Sequence, residues 1–360
     1  GIVEDASVES DLFSPPWLEQ YSGGAPGCKL GRGSYRWRGC GLGSNVNNLL
    51  NSWVYSLAVE DWSELSLIFN DIQFQSLNCF NESAGLVSQG WGCLFSSIPH
   101  VCVFDTAQAW KAHLLSANVS DEDLNTINGL NLDTIRKSRK DIANSLQGLN
   151  IDHLGALAVM AKYLWSFMTP WLRNDVHFVT HAEKAFNGSA PFLGIHIRRG
   201  DKIKEAKAVA VEVWLTREYL KAAVDFFEEE SSPTGVDGIK AIWVASDDPG
   251  VVDEVRTLAP SYFPNVSSEA IAYVANGVTG GANTTGVETL TKQEEYGSFV
   301  YILADLEKLA AAELFVGTFS SNVGRFVVVL REGLGKPRNS SISLDQKSWY
   351  PGRQRSLLMN

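Results

Sequence analysis

Residues 194–202 read GIHIRRGDK, so Arg198, Arg199, Asp201 and Lys202 follow an apolar run of strand length, PFLGIHI. A charge run is ordinarily a solvated loop. One that leaves the end of a buried strand instead stands where a parallel sheet presents a ligand. Two further strand-like runs end the same way. KAIWVA runs into Ser246, Asp247 and Asp248, and ELFVGTF runs into Ser320, Ser321 and Asn322, where a helix is expected to open. Free backbone N–H groups at a helix start, two hydroxyls and arginines able to bind phosphate oxygens bidentately make a diphosphate site. Ser320 and Ser321 taken alone would be ordinary helix caps.

Weaker signals surround this one. Gly39, Gly41 and Gly43 in GCGLGS allow close backbone approach to a ligand ahead of a helix, though a short glycine run is more often a tight turn. Asp121 and Asp123 form an Asp-x-Asp pair, but in NVSDEDLN they suit a helix start. The histidines are read as scattered core or surface residues, and no metal is expected. Arg199, Gly200 and Asp201 spell an adhesion tripeptide. Its place behind a buried strand, rather than at the tip of an exposed loop, argues against that use.

The elements that must position these residues follow a pattern. Residues 1–30 are rich in Gly, Pro and Ser and read as an extended arm. Residues 31–185 read as an open α/β and helical domain, with a turn, a helix capped at Ser44 and the strand ELSLIFNDIQF, then mostly helices up to HLGALAVMAKYLWSFMTPWL, stopped by Pro170. Residues 186–345 alternate strand and helix, which implies a parallel, doubly wound, Rossmann-like sheet. Residues 346–360 read as a tail.

Composition narrows the function classes. A net charge of -11 opposes binding to nucleic acid or an anionic membrane surface, which calls for excess Lys and Arg. No run of about 18 apolar residues is found. The first residue is Gly, so an anchoring or targeting segment is expected to have preceded it. Five cysteines lie within the first 102 residues, and six N-x-S/T sequons begin at Asn81, Asn118, Asn187, Asn265, Asn283 and Asn339. Together they favour a lumenal or secreted protein with disulfides.

GIHIRRGDK resembles the H-V-R-R-x-D-K motif of the α1,6-fucosyltransferases that modify the core of N-glycans, with rhizobial chitooligosaccharide fucosyltransferases as more distant relatives. RGCGLGSNVNNL, KYLWSFMTPWL, VASDDP, LFVGTFSSNVGR and SISLDQKSWYPGRQ are similar, in the same order, to further motifs of that family, from about residue 28 to 353. The resemblance implies a GT-B fold and metal-independent, inverting transfer of fucose from GDP-β-L-fucose to the 6-hydroxyl of the innermost N-acetylglucosamine. Alternatives are transfer to chitooligosaccharide or another glycan, or an inactive GDP-sugar or glycan-binding relative. No cofactor is implied beyond the donor substrate, and the site would be in the Golgi lumen or outside the cell.

The resemblance also implies roles. Arg198 contacts the β-phosphate and Arg199 supports that charge or shapes the site. Ser320 and Ser321 cradle the diphosphate, with Asn322, Asp201, Asp247 and Asp248 nearby. His196 packs beside the guanine, and Asp305, thirteen residues before Thr318, accepts the N1 and N2 hydrogens of that base. Glu205 is the base, with Glu212 as fallback; Lys202 tunes or relays the proton, and Tyr219 matches a family tyrosine. With Ser44 in place of a family cysteine, Cys40 is the expected unpaired thiol. By position, Cys28 with Cys102 and Cys79 with Cys93 are the disulfide candidates, the pairing remaining open.

Overall fold

A computed structural model describes residues 33–36, 42–59, 65–68, 78–81, 85–89, 101–104, 144, 146, 151–166, 168–182, 190–199, 214–229, 234–273 and 292–345. The chain divides into two compact units, Gly1–Ser76 with Ser88–Thr169, and Leu77–Val87 with Pro170–Asn360.

In the first unit β1 (Gly33–Arg36), β2 (Leu65–Ile68) and β5 (Val101–Phe104) form a parallel sheet in the order β1-β2-β5. The helix after β1 is α1 (Leu42–Val59), so Ser44 lies inside the first turn rather than at the cap. Its apolar stripe, Val46, Leu49, Leu50, Trp53 and Val54, is buried, as the spacing requires. It packs on α2 (His153–Ser166), where Trp53 meets Tyr163 edge to face at 5.9 Å. β3 (Asn78–Asn81), which belongs to the second unit, pairs with β4 (Gly85–Gln89).

The expected domain limit near residue 185 falls earlier, between Thr169 and Pro170. α2 ends at Ser166, four residues ahead of Pro170, and Pro170 itself starts α3 (Pro170–Ala182). Proline is well suited to a first helical position, where its missing N–H would have no partner. α3 then packs on α7 (Lys292–Ala311) of the second unit, and the Tyr296 hydroxyl donates to Asp175 across that seam.

The second unit is a five-stranded parallel sheet of β6 (Phe192–Ile197), β7 (Ala241–Ser246), β8 (Ile271–Tyr273), β9 (Leu314–Gly317) and β10 (Ser341–Ser343), in the order β10-β9-β6-β7-β8. Numbered from β6, the order is 3-2-1-4-5 read from the β8 edge, that of a Rossmann sheet. The connections are α4 (Thr216–Glu229), the single turn α5 (Gly235–Gly238), α6 (Gly250–Leu258), α7 and α8 (Asn322–Gly333). Alternation along the strands sorts the two faces. Leu193, Ile195, Ile197, Ile242 and Val244 form one core with Leu220, Ala223 and Phe227 of α4 and Val251 and Val255 of α6. The intervening residues Gly194, His196, Trp243 and Ala245 therefore face the other way, towards α7. Gly194 is needed there, because an added Cβ would stand 3.0 Å from the Ala312 Cβ and 3.2 Å from Leu309 Cδ2.

Arg331 ties the far end of this layer together while only 1% exposed. Its guanidinium donates to the carbonyls of Leu309 and Ala310 at the end of α7, of Ala312 (2.6 Å) and Glu313 ahead of β9, and of Ser340 (2.9 Å), as well as to the hydroxyls of Ser340 and Ser341. Burial lowers its pKa to about 10. A cation there satisfies helix carbonyls that have no partner of their own.

Candidate active site

β6 and β9 lie side by side at the place where the strand order reverses, so the chain leaves their carboxyl ends in opposite directions and opens a crevice. Arg198 follows β6 on one side. On the other, Thr318, Phe319 and Ser320 lead to Ser321, the N-cap of α8, whose carbonyl accepts the Arg325 N–H at 3.1 Å. Gly324 lets α8 come this close, since a Cβ at that position would lie 2.4 Å from the Thr318 carbonyl oxygen. The Ser321 hydroxyl is fully buried and has no hydrogen-bond partner. A hydroxyl left so at the positive end of a helix is suited to an incoming anion.

Ser320 is arranged differently. Its N–H donates to Asp345 at 2.7 Å, the Phe319 N–H donates to the same carboxylate at 3.0 Å, and the Ser343 hydroxyl joins at 2.6 Å. Burial tends to raise the Asp345 pKa, but the hydrogen bonds from Ser320, Ser343 and Phe319 outweigh it and hold the carboxyl below its usual range. Asp345 thus occupies, from inside the protein, donors that the sequence assigned to a phosphate. Sequence reasoning missed this role, although SISLDQ was already among the matching segments. Burial of Tyr219, 2% exposed on α4, and then the Asp345 charge raise the tyrosine pKa.

The two arginines part company. Arg199 makes a bidentate pair with Glu254 of α6, both bonds 2.6 Å, and a 2.8 Å bond to the Thr216 hydroxyl of α4. Asp248 stands 3.8 Å away, and the Arg199 N–H donates to Asp247 at 2.8 Å. Asp248 also accepts the Gly250 N–H at 2.9 Å, closing the turn into α6. The Asp247–Asp248 pair therefore organises backbone and holds Arg199, which pins α4 and α6 beneath the edge. Arg198 is half-buried beside His196. Burial, and then the Arg198 charge, hold the His196 imidazole at a pKa of about 3, and its Nδ1 is buried with no hydrogen-bond partner. His196 is accordingly neutral at any working pH.

Asp305 of α7 is 8% exposed and faces β7, where it accepts the Trp243 indole N–H at 2.9 Å. Burial pushes its carboxyl up to about 8 against the opposing pull of that bond. Asn322 is the first residue of α8. Asp201, Lys202, Glu205, Glu212, Gly39, Gly41, Asp121, Asp123, Cys28, Cys40 and Cys93 lie outside the described residues. Gly43 is described only as part of α1, and Cys79 and Cys102 only as parts of β3 and β5. The scattered reading of the histidines needs one correction. His177 and His181 are one turn apart on α3, their rings stacked at 3.8 Å. Among the described residues no group of three or more His, Cys, Asp or Glu is placed to hold a metal, and no helix is long and apolar enough to cross a membrane.

The chain is thus an α/β protein of two units, the second a parallel sheet wound in Rossmann order with polar groups at its strand ends. The chain belongs to the α-(1,6)-fucosyltransferase family, whose model for the N- and catalytic domains matches residues 88–345. An alpha-(1,6)-fucosyltransferase of Caenorhabditis elegans is 30% identical over 165 residues, which are 46% of this chain and 26% of that protein. The match thus spans about a quarter of the length of that relative. The crystal structure of the fucosyltransferase NodZ from Bradyrhizobium aligns over 82% of this chain and 91% of its own, at 13% identity and a TM-score of 0.43. POFUT1 in complex with GDP aligns over 84% and 96%, at 13% identity and a TM-score of 0.40.

Proposed function

We propose that this protein transfers fucose from GDP-β-L-fucose, with inversion and without a metal, to the 6-hydroxyl of the innermost N-acetylglucosamine of an N-glycan. The observation that carries the reading is the orphaned Ser321 hydroxyl at the start of α8, beside the β6–β9 reversal of strand order where Arg198 follows β6. Family membership supports the same donor. Two tasks fall to the site: to stabilise departing GDP and to take a proton from a sugar hydroxyl as the fucosyl group gains oxocarbenium character.

Arg198 and the α8 N-terminus answer the first, as fixed positive charge aimed where negative charge develops. Asp305 receives the guanine edge, and buried, neutral His196 lies on the same face of the sheet. Arg199 and Asp345 hold the two loops in register rather than touching the donor. Glu205 takes the acceptor proton, with Lys202 beside it in sequence. The sequons and cysteines support a Golgi-lumenal or secreted setting.

The test is one incubation of GDP-fucose with a panel of N-glycans and chitooligosaccharides, reading the product linkage. Transfer to O6 of the N-glycan core is expected, unaffected by EDTA and lost in Arg198→Ala and Glu205→Gln. Near-normal transfer by Arg198→Ala refutes the phosphate role. Product on chitooligosaccharide alone reassigns the acceptor, and GDP binding without transfer to any acceptor refutes the enzyme.

A further inference from the structure

The Asp305 carboxyl is an unusual thing to bury on the α7 face of the sheet, and its nearest organiser comes from another element. Trp243 lies at the centre of β7, wholly buried, and its side chain leaves the sheet towards α7, as that of Ala245 does. A buried indole N–H requires an acceptor, and this one donates to Asp305 Oδ1 at 2.9 Å. We propose that Trp243 is the positioning residue of the donor-base site: its indole N–H locks the Asp305 carboxyl so that the second oxygen is presented to the guanine N1–H and N2–H. The inference rests on the GDP-fucose reading above.

The geometry separates this role from simple core packing. A carboxyl with no fixed partner rotates about its last bond and offers a base no set direction. One hydrogen bond from a rigid ring removes that freedom and leaves one oxygen unassigned. The same bond favours the ionised form, the form able to accept both guanine hydrogens at once. Charged groups on α7 and on the elements packed against it have their own places. On α7, Lys308 stands over the Trp243 ring, 5.8 Å from its centroid, with Glu307 next to it in sequence. On β6, His196 is neutral, with Arg198 beyond it. On α8, Arg325 donates to the Phe319 carbonyl and Arg331 to the carbonyls at the end of α7. On α3, Asp175 accepts the Tyr296 hydroxyl. β7 itself, AIWVAS, carries no ionisable side chain.

The experiment is a double-mutant cycle on GDP affinity across pH 6 to 9, with wild type, Trp243→Phe, Asp305→Asn and the pair. Trp243→Phe is expected to weaken GDP about ten-fold at neutral pH, the loss that accompanies one hydrogen bond. It should also move the midpoint of the pH profile upward and raise the KM for GDP-fucose with kcat held. In the Asp305→Asn background the same substitution should change affinity less than about two-fold. Equal binding by Trp243→Phe and wild type, or an equal loss in both backgrounds, overturns the proposal. If Trp243→Phe does not fold, the wild-type indole N–H resonance decides. It must shift with a midpoint near pH 8 and again on GDP saturation, and a resonance unmoved by both refutes the pairing. A wild type that fails to bind GDP refutes the donor reading instead, and the pH titration of the indole then still tests the Trp243–Asp305 pair on its own.

Discussion

Raising the pH from 6 to 9 should strengthen GDP binding by about two orders of magnitude, and Asp305 is the reason. Its carboxyl is 8% exposed and pushed up to about 8 by burial, so it is mostly protonated in the empty protein at neutral pH. A neutral acid accepts poorly from two guanine donors, whereas the carboxylate accepts both. The ionised fraction is about 1% at pH 6, 10% at pH 7 and 90% at pH 9, and apparent affinity scales with that fraction. Calorimetric titration with GDP in buffers of different ionisation heat should therefore show close to one proton released on binding at pH 7. Asp305→Asn is the control, because it keeps the titration of the nucleotide's own phosphate and loses that of the carboxyl. A pH slope shared by wild type and variant, with equal proton release, refutes the reasoning. Stability runs the opposite way. A carboxyl whose folded pKa is raised stabilises the empty protein below 3.8 and loses that contribution as pH rises towards 8, so GDP should protect most strongly against alkaline unfolding.

Two stability predictions follow from the ion networks. Arg331→Met removes the shared donor of the Leu309, Ala310, Ala312, Glu313 and Ser340 carbonyls. It should cost about 3–5 kcal/mol in denaturant unfolding, partly offset by relief of the buried charge, and a loss below about 1 kcal/mol would show that water replaces the guanidinium. Glu254 has its pKa lowered to about 2, chiefly by the Arg199 hydrogen bonds against opposing burial and with help from Thr216. Its stabilisation is full above 4.5 and disappears as pH falls towards 2. Because its side chain is 44% exposed, screening limits the effect to about 1 kcal/mol. Melting curves from pH 7 to 3 should show Glu254→Gln losing less stability than wild type over that interval, and parallel curves would refute the assignment.

Much of the second unit was legible because strand alternation and helix periodicity are local. The runs ending at Ile197, Ser246 and Gly317 became β6, β7 and β9, and Ser321 became the cap of α8. β1 was not legible, since four residues, GSYR, carry too short a pattern to separate a strand from the turn around it. The division at Pro170 was half legible. Proline breaks a helix in sequence, but which unit the following helix joins depends on α7, more than a hundred residues away.

The sequence by itself determined which residue types stand at the strand ends, and so that cations and hydroxyls are available to an anion beside a parallel sheet. Their order also identifies the family. Only the tertiary structure decided how those groups are used: Arg199 to Glu254 and Thr216, Ser320 to Asp345, Asp305 to Trp243, pairs separated by 55 and 17, 25 and 62 positions. The physical reason is that a charge or hydroxyl is committed by whichever partner the fold brings within about 3 Å. Chain order limits those candidates, but the packing of α4, α6 and α7 on the two faces of the sheet selects among them.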